Sequence, residues 1–401
     1  MRFAILTLGC KVNQYESQRI RQGLESAGHI EHAFTEPGAD FYIINTCTIT
    51  HKSDAETRRV IRQALRHGGR VIVTGCQVVV DSKGIRDVSE AIEIVMPDHL
   101  SEILQVDLPS IITGFGDHHR AFVKVQQGCD KYCAYCIVPF ARGRPVSRPW
   151  QEVVTEVRTL NDARYNEVVL TGINIGLYEG GLTRLVERVL SHTSIQRLRI
   201  SSIEPWTVED SLISILKDNP RLCKHLHLPM QHGSDPILRA MGRPYTASYF
   251  HSLIDRIRNA APEAAIGLDI IVGFPGEDEK SFDESYSLIE DLHVTYLHVF
   301  PFSPRQGTAA ALLPGRPDEA VTKQRSSNLR ALSREKRHAF ACSRQGMVEE
   351  VLVTGICEGH FYGVTSNYLT VHAQGSVLAG NIVSVLLKDM EGQTVTGELL
   401  G

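Results

Sequence analysis

Cys129, Cys133 and Cys136 lie in the string "GCDKYCAYC", spaced C-x3-C-x2-C, directly after the apolar run "RAFVKVQ". A structural zinc site usually takes a fourth nitrogen or sulfur ligand, and a thioredoxin-like redox pair needs only Cys133 and Cys136 near a helix start, so neither explains all three thiols. A four-iron cluster tied down by three thiolates keeps one iron free to bind something else. His118 and His119, eleven and ten residues upstream of Cys129, read as loop bystanders rather than as a fourth ligand. Three further cysteines close apolar runs: Cys10 in "FAILTLGC", Cys47 in "FYIINTC" and Cys76 in "VIVTGC". In a parallel sheet, residues at the carboxyl ends of strands gather in one crevice, so these three converge although 37 and 29 positions separate them. Cys223, Cys342 and Cys357 match no such pattern and read as structural or incidental.

The elements that must position these thiols follow from periodicity. The first hundred or so residues alternate the three apolar runs with helix-patterned stretches at 14–28 and 51–67, a βαβαβ arrangement. From about 120 to 302 the alternation resumes, with strands expected at 120–126, 167–171, 197–202, 225–229, 264–272 and 295–301 and helices between them. Six such units make a partial (β/α)6 barrel whose open side suits a large substrate; an ordinary doubly wound sheet has the same pattern. After "LLPGRP" a helical stretch runs over 318–345, and residues 316–345 carry eight Lys or Arg against three acids. The last 55 residues change to short alternating runs separated by glycine, the signature of a small all-β barrel or sandwich. The expected fold is therefore α/β, with an N-terminal doubly wound domain over 1–112, a barrel over 113–315, a basic helical linker over 316–345 and a β domain over 346–401.

A chain of 401 residues, 42% hydrophobic and 22% charged, is long enough for two or three domains with real cores. No apolar run approaches the roughly 18 residues a membrane span needs, and "MRFAILTLGC" lacks the form of a signal peptide. A cytoplasmic protein with no membrane partner is expected. There nine cysteines, an odd number, point to metal or redox chemistry rather than a disulfide framework. The net charge of -4 gives no global sign of nucleic-acid binding, so evidence for it has to be local.

The C-x3-C-x2-C spacing resembles the radical S-adenosylmethionine superfamily. The longer string "QGCDKYCAYCIVPFARGRPVSRP" (127–149) is similar to the methylthiotransferases within it, whose members carry a second cluster on three cysteines of an N-terminal domain. "TLGCKVNQYES", "INTCTIT" and "VTGCQ" each match a motif of that family, and "LTGINIGLY", "RISSIEP", "HLHLPMQHGSD", "DIIVGFPGE" and "HVFPFSPRQGT" follow in order. Lys11, Val12 and Gln14 in "LGCKVNQYES", together with "YGVTSNYLTV" in a C-terminal module that looks like a TRAM domain, resemble the branch acting on threonylcarbamoyladenosine in tRNA. Other branches act on isopentenyladenosine in tRNA or on an aspartate of a ribosomal protein. A protein using its clusters only structurally is a rival of another class, against which the vacant ligand position argues.

The resemblance implies two [4Fe-4S] clusters, one on Cys129, Cys133 and Cys136 and one on Cys10, Cys47 and Cys76, with two S-adenosylmethionine molecules per turnover. One is cleaved to a 5′-deoxyadenosyl radical that takes the C2 hydrogen of an adenosine; the other methylates a sulfide at the second cluster. No acid–base pair is expected among the catalytic residues, an external electron donor is required, and the sulfur donor is left open. For the cofactor, Gly172 and Gly273 would allow close backbone approach, while Asn174, Ser201, Glu204, Gln231 and Asp269 would hydrogen-bond its polar edges. His225 and His227 read as packed or hydrogen-bonded rather than as a metal pair. The expected partner is the tRNA anticodon stem-loop and not DNA, with contacts from Arg58, Arg59, Arg142, Arg144, Arg334 and Arg337 and stacking by Tyr362 and Tyr368.

Overall fold

Alternating side chains of the first strands sort onto the two faces of one parallel sheet, with successive residues pointing to opposite sides. A computed structural model describes residues 1–116 and 118–400. The sheet runs in the order Ile30–Glu31, Arg2–Thr7, Phe41–Thr46, Arg70–Gly75, Ile92–Ile94. Phe3, Ile43 and Ile72 pack on Ile20 and Leu24 of the helix Lys11–Ser26. Ala4, Tyr42, Ile44, Val71 and Val73 pack on Val60, Ile61 and Ala64 of the helix His51–His67, which Thr50 and Ser53 start with a reciprocal capping box. The order reverses between Arg2–Thr7 and Phe41–Thr46, which places a crevice at the ends that carry Cys10 and Cys47.

Six parallel strands form the centre: Arg120–Gln127, Glu167–Gly172, Arg197–Ile200, His225–Gln231, Ala265–Val272 and Tyr296–Pro301. Regular pairing lapses between the third and fourth, where Leu198 N–H donates to Arg221 O (2.7 Å) and Ile203 N–H donates to His227 O (3.0 Å). The first and sixth strands are not paired with one another, so the barrel is open on that side, as the sequence pattern predicts. One apolar core fills the space between these strands and their helices.

The chain then runs as the helix Glu319–Ser343 along the last strand, where Ser333 Oγ accepts from Leu297 N (2.8 Å). It ends in a closed barrel of five strands between Val348 and Leu399, cored by Val351, Val353, Phe361, Val371, Val385 and Val395. Among the described residues no helix is long and apolar enough to cross a membrane.

Buried charge joins the parts. Glu156 accepts from Tyr15 Oη (2.9 Å), Ile112 N (2.7 Å) and Arg148 (2.5 Å), and Arg305 pairs with Asp54 (2.5 Å). At the floor of the central barrel Glu167, fully buried, meets Arg199 (2.8 Å), Arg197 (2.9 Å) and Arg120 (3.8 Å). Burial alone would raise the Glu167 carboxyl, but Arg199 and Arg197 outweigh it and hold it near 2. The same arginines donate to the carbonyls of Val364, Thr365 and Ser366 in the C-terminal barrel. Tyr368, held with φ 68°, stacks on His225 at 4.5 Å beneath Arg199.

Candidate active site

Each of the first three cysteines follows a strand end, and glycine before two of them lets the loops touch. Gly9 has φ 101°, and a Cβ there would stand 2.7 Å from Cys47 Cβ. Gly75 has φ 96°, and its Cβ would fall 2.5 Å from Asn45 Oδ1. Asn13 ties the loops together, donating to Leu8 O (2.8 Å) and Thr46 O (2.9 Å), while Thr46 Oγ1 donates to Thr74 O (2.6 Å). Burial raises the Cys47 and Cys76 thiols, Cys76 to about 11, and the charge of Cys10 adds to both. Cys47 is buried and Cys10 and Cys76 are half-buried beside it, so the three together would ionise only around a cationic centre, which is what iron supplies; the donor set fits a three-thiolate cluster.

The second triad sits in the loop after the first barrel strand. Cys129 N–H donates to Gly143 O (3.0 Å), Cys136 N–H to Cys133 O (2.9 Å) and Ala134 N–H to Met241 O (2.9 Å). Gly128, with φ 77°, lies where a Cβ would overlap Arg144 O. Burial pushes Cys136 up to about 12, with Cys133 and Cys129 adding to it, so this set fits a cluster by the same reasoning. All six cysteines are free of disulfides.

Around the second triad stand two of the residues the sequence singles out, Asn174 and Glu204. Asn174 Nδ2 lies 3.8 Å from Cys129 Sγ. Glu204 pairs with Arg243, which reaches Cys133 Sγ at 3.5 Å and packs over Trp206. Gln126, fully buried, accepts from Asn174 N (2.8 Å) and donates to Gly128 O (2.7 Å). Sequence patterning missed both Arg243 and Gln126. Ser201 and Asp269 line a different space, the barrel lumen. There His227 Nε2 meets Asp269 at 2.9 Å, His298 Nδ1 meets it at 3.4 Å, and Tyr296 Oη bonds His225 (2.8 Å) and His227 (3.2 Å). Burial alone would raise the Asp269 carboxyl, yet the bonds from His227 and His298 hold it well below the usual range.

The remaining cofactor candidates have backbone reasons for their identity. Gly273, φ 79°, lies where a Cβ would crowd Thr322 of the long helix at 2.6 Å, and Gly172 where one would crowd Gln126 O at 2.8 Å. Gln231, φ 69°, marks an irregularity in the fourth strand's ladder.

Two expected RNA contacts need correction. Arg142 is no surface cation: its side chain is 5% exposed and donates to Cys76 Sγ (3.0 Å), Glu16 (2.6 Å) and Asn13 (2.5 Å). It therefore links the short helix Val138–Arg142, which starts two residues past Cys136, to the loops of the other triad. Tyr368 is already engaged rather than held out for a base: it stacks on His225, and the Arg199 guanidinium lies over its ring at 5.1 Å. Arg144 is exposed, Arg59 pairs with Glu56 (2.6 Å) and Arg58 is half-buried. Arg334 and Arg337 join Arg330 in a groove of about 340 Å³ that touches His298 and Tyr368 at the barrel's open side. Tyr362, exposed, stacks on His372 at 4.6 Å, and His372 stacks on His360 at 4.9 Å.

The chain matches the model of the radical SAM superfamily over residues 123–289 and that of uncharacterized protein family UPF0004 over 2–97. It is 35% identical to the threonylcarbamoyladenosine tRNA methylthiotransferase MtaB of Bacillus subtilis, over 95% of this chain and 92% of that one. It is 34% identical to the MtaB of Chlamydia pneumoniae, over 99% and 98%. It is 33% identical to the tRNA-2-methylthio-N(6)-dimethylallyladenosine synthase of Bartonella quintana, over 98% and 95%. Among solved structures, the radical S-adenosylmethionine methyltransferase TsrM of Kitasatospora setae superposes with a TM-score of 0.55 at 15% identity over 75% of each chain, a likeness of fold. With two cysteine triads on a partial barrel and relatives of this identity along nearly its whole length, the chain belongs to the tRNA methylthiotransferase family of the radical SAM superfamily.

Proposed function

We propose that the protein adds a methylthio group to C2 of N6-threonylcarbamoyladenosine at position 37 of tRNA. The observation that carries this reading is the pair of three-thiol sites joined by Arg142. In it, Cys129, Cys133 and Cys136 hold one [4Fe-4S] cluster, and Cys10, Cys47 and Cys76 hold the other. When bound, the clusters and two S-adenosylmethionine molecules supply the one-electron and methyl-transfer chemistry that no side chain offers, since an adenine C2–H has no acidic proton. The chain's own residues set the stage. Arg142 opposes the negative charge gathered at Cys76, while Asn174 and Arg243 orient Cys129 and Cys133 from the barrel side. Glu204, beside the second triad through Arg243, presents its carboxylate towards the cofactor, Ser201 and Asp269 line the lumen that receives the adenosine, and Gly172, Gln231 and Gly273 shape the strand ends. The anticodon stem-loop lies along Arg334, Arg337, Arg144 and Tyr362, with Arg58 and Arg59 further out, and feeds one base through the barrel's open side. An external donor supplies electrons, and the reaction takes place in the cytoplasm. The segments 1–112, 113–315, 316–345 and 346–401 serve as auxiliary-cluster domain, radical domain, basic linker and TRAM-like domain.

The Bartonella quintana relative favours a second reading, in which the base is dimethylallyladenosine. Mass spectrometry of tRNA nucleosides from a deletion strain, its parent and a complemented strain separates the two. Loss of 2-methylthio-N6-threonylcarbamoyladenosine with accumulation of its precursor supports the proposal. Loss of the dimethylallyl analogue instead moves the substrate to the second reading, and no change in either nucleoside overturns both.

A further inference from the structure

We propose that Lys11, an exposed residue that also lines the barrel lumen, reads the carboxylate of the N6 substituent, an inference that rests on the threonylcarbamoyladenosine reading above. Lys11 is the first residue of the helix Lys11–Ser26, and so puts a cation at the positive pole of a helix whose first turn has no acidic residue. That position is unfavourable for lysine unless an anion arrives. Among the described residues no carboxylate lies within ion-pair distance of Lys11.

The side chain lines a lumen cavity of about 150 Å³. Two other cations line it, Arg120 and Arg199, and both are already answered by Glu167 beneath the floor. Asp269 is the carboxylate on the wall, and it is taken by His227 and His298. Lys11 is thus the cation left for a ligand.

Two further groups await partners in the same cavity. His225 is 5% exposed, bonds Tyr296 through Nε2 and has no partner at Nδ1. Ser201 Oγ is also buried without a partner. An unpaired hydroxyl, an unpaired ring nitrogen and a free ammonium match a small polar arm ending in a carboxylate. An isopentenyl arm would leave all three unsatisfied.

The test uses reconstituted enzyme and two anticodon stem-loop RNAs, one bearing N6-threonylcarbamoyladenosine and one with its carboxylate converted to the neutral carboxamide. Wild type should prefer the acid over the amide by about 10- to 100-fold in kcat/KM, the range of a charge-assisted hydrogen bond. Lys11→Gln should lose that factor on the acid and treat the two RNAs alike, whereas Lys11→Arg should keep the preference. Iron content measures whether each variant still assembles its clusters. Should Lys11→Gln lose iron, Lys11→Met takes its place. A Lys11→Gln or Lys11→Met variant that keeps its iron and the wild-type preference overturns the inference alone, as does a wild type indifferent to the carboxylate. Failure of wild type to turn over either RNA, with dimethylallyl RNA turned over instead, overturns the substrate reading and this inference with it.

Discussion

Cys10, Cys47 and Cys76 are gathered from three strand ends, while Cys129, Cys133 and Cys136 come from one loop of eight residues. The first set exists only if a parallel sheet forms in register and its loops touch through Gly9 and Gly75. The second needs little more than its own turn and the carbonyls of Gly143 and Met241. Each set has an arginine against one thiol, yet Arg243 belongs to the same barrel as Cys133, whereas Arg142 reaches Cys76 from the other domain. One site is locally complete; the other is finished by its neighbour.

The largest effects should come from removing thiols. Cys129→Ala should bring 5′-deoxyadenosine formation to background, while Cys47→Ala should leave that cleavage and stop methylthiolation; chromatography of both products checks this. Methylthiolated RNA from Cys47→Ala would break the comparison.

Arg142→Met probes the dependence between domains. It strips the half-buried Glu16 of one of its two cations and leaves it Lys124 alone. Iron bound per chain should fall by about half, from two four-iron sets to one, with S-adenosylmethionine cleavage retained. Equal loss from both sets would show that Arg142 is not specific to Cys76.

The barrel floor serves as a control, because it touches neither triad. Glu167 is held near 2 in the fold against a usual 4.5, a depressed carboxyl, so its contribution is complete above about pH 5 and fades as pH falls towards 2. By linkage this is on the order of 3 kcal/mol of stability. Denaturant unfolding between pH 7 and pH 3 should show about 2 kcal/mol of this loss in wild type and a flatter profile in Glu167→Gln, with iron content in both unchanged at pH 7.

The smallest effects belong to the groove. Arg334→Ala or Arg337→Ala should weaken RNA binding modestly and lower the slope of log affinity against log salt by about one each. Filter binding across a salt series checks this, and an unchanged slope removes that arginine from the phosphate track.

Much of this was legible in the chain because it is local. Strand runs, helix periods and the cysteine spacings each lie within a short window, and the six central strands appear where alternation places them. What escaped depends on meetings between distant residues. "FARGRP" reads as a basic surface stretch, and only the docking of two domains turns Arg142 inwards, 66 residues from Cys76. Tyr368 in "SNYLT" reads as an exposed aromatic, and only its left-handed backbone in a loop under the barrel sends it to His225. Gly273 gives no sign in the sequence of the crowding by Thr322 that also requires a glycine there.

Tyr368 and the Val364–Ser366 carbonyls also bear on how modular this chain is. A terminal domain on a free tether can be swapped between relatives at little cost. Here its loop plugs the lumen and takes the spare donors of Arg197 and Arg199. Exchanging it for a domain without an equivalent plug would open the reaction chamber from below and leave N–H donors of two buried guanidinium groups without acceptors. The last 50-odd residues are thus bound to be inherited, or engineered, together with the barrel they close.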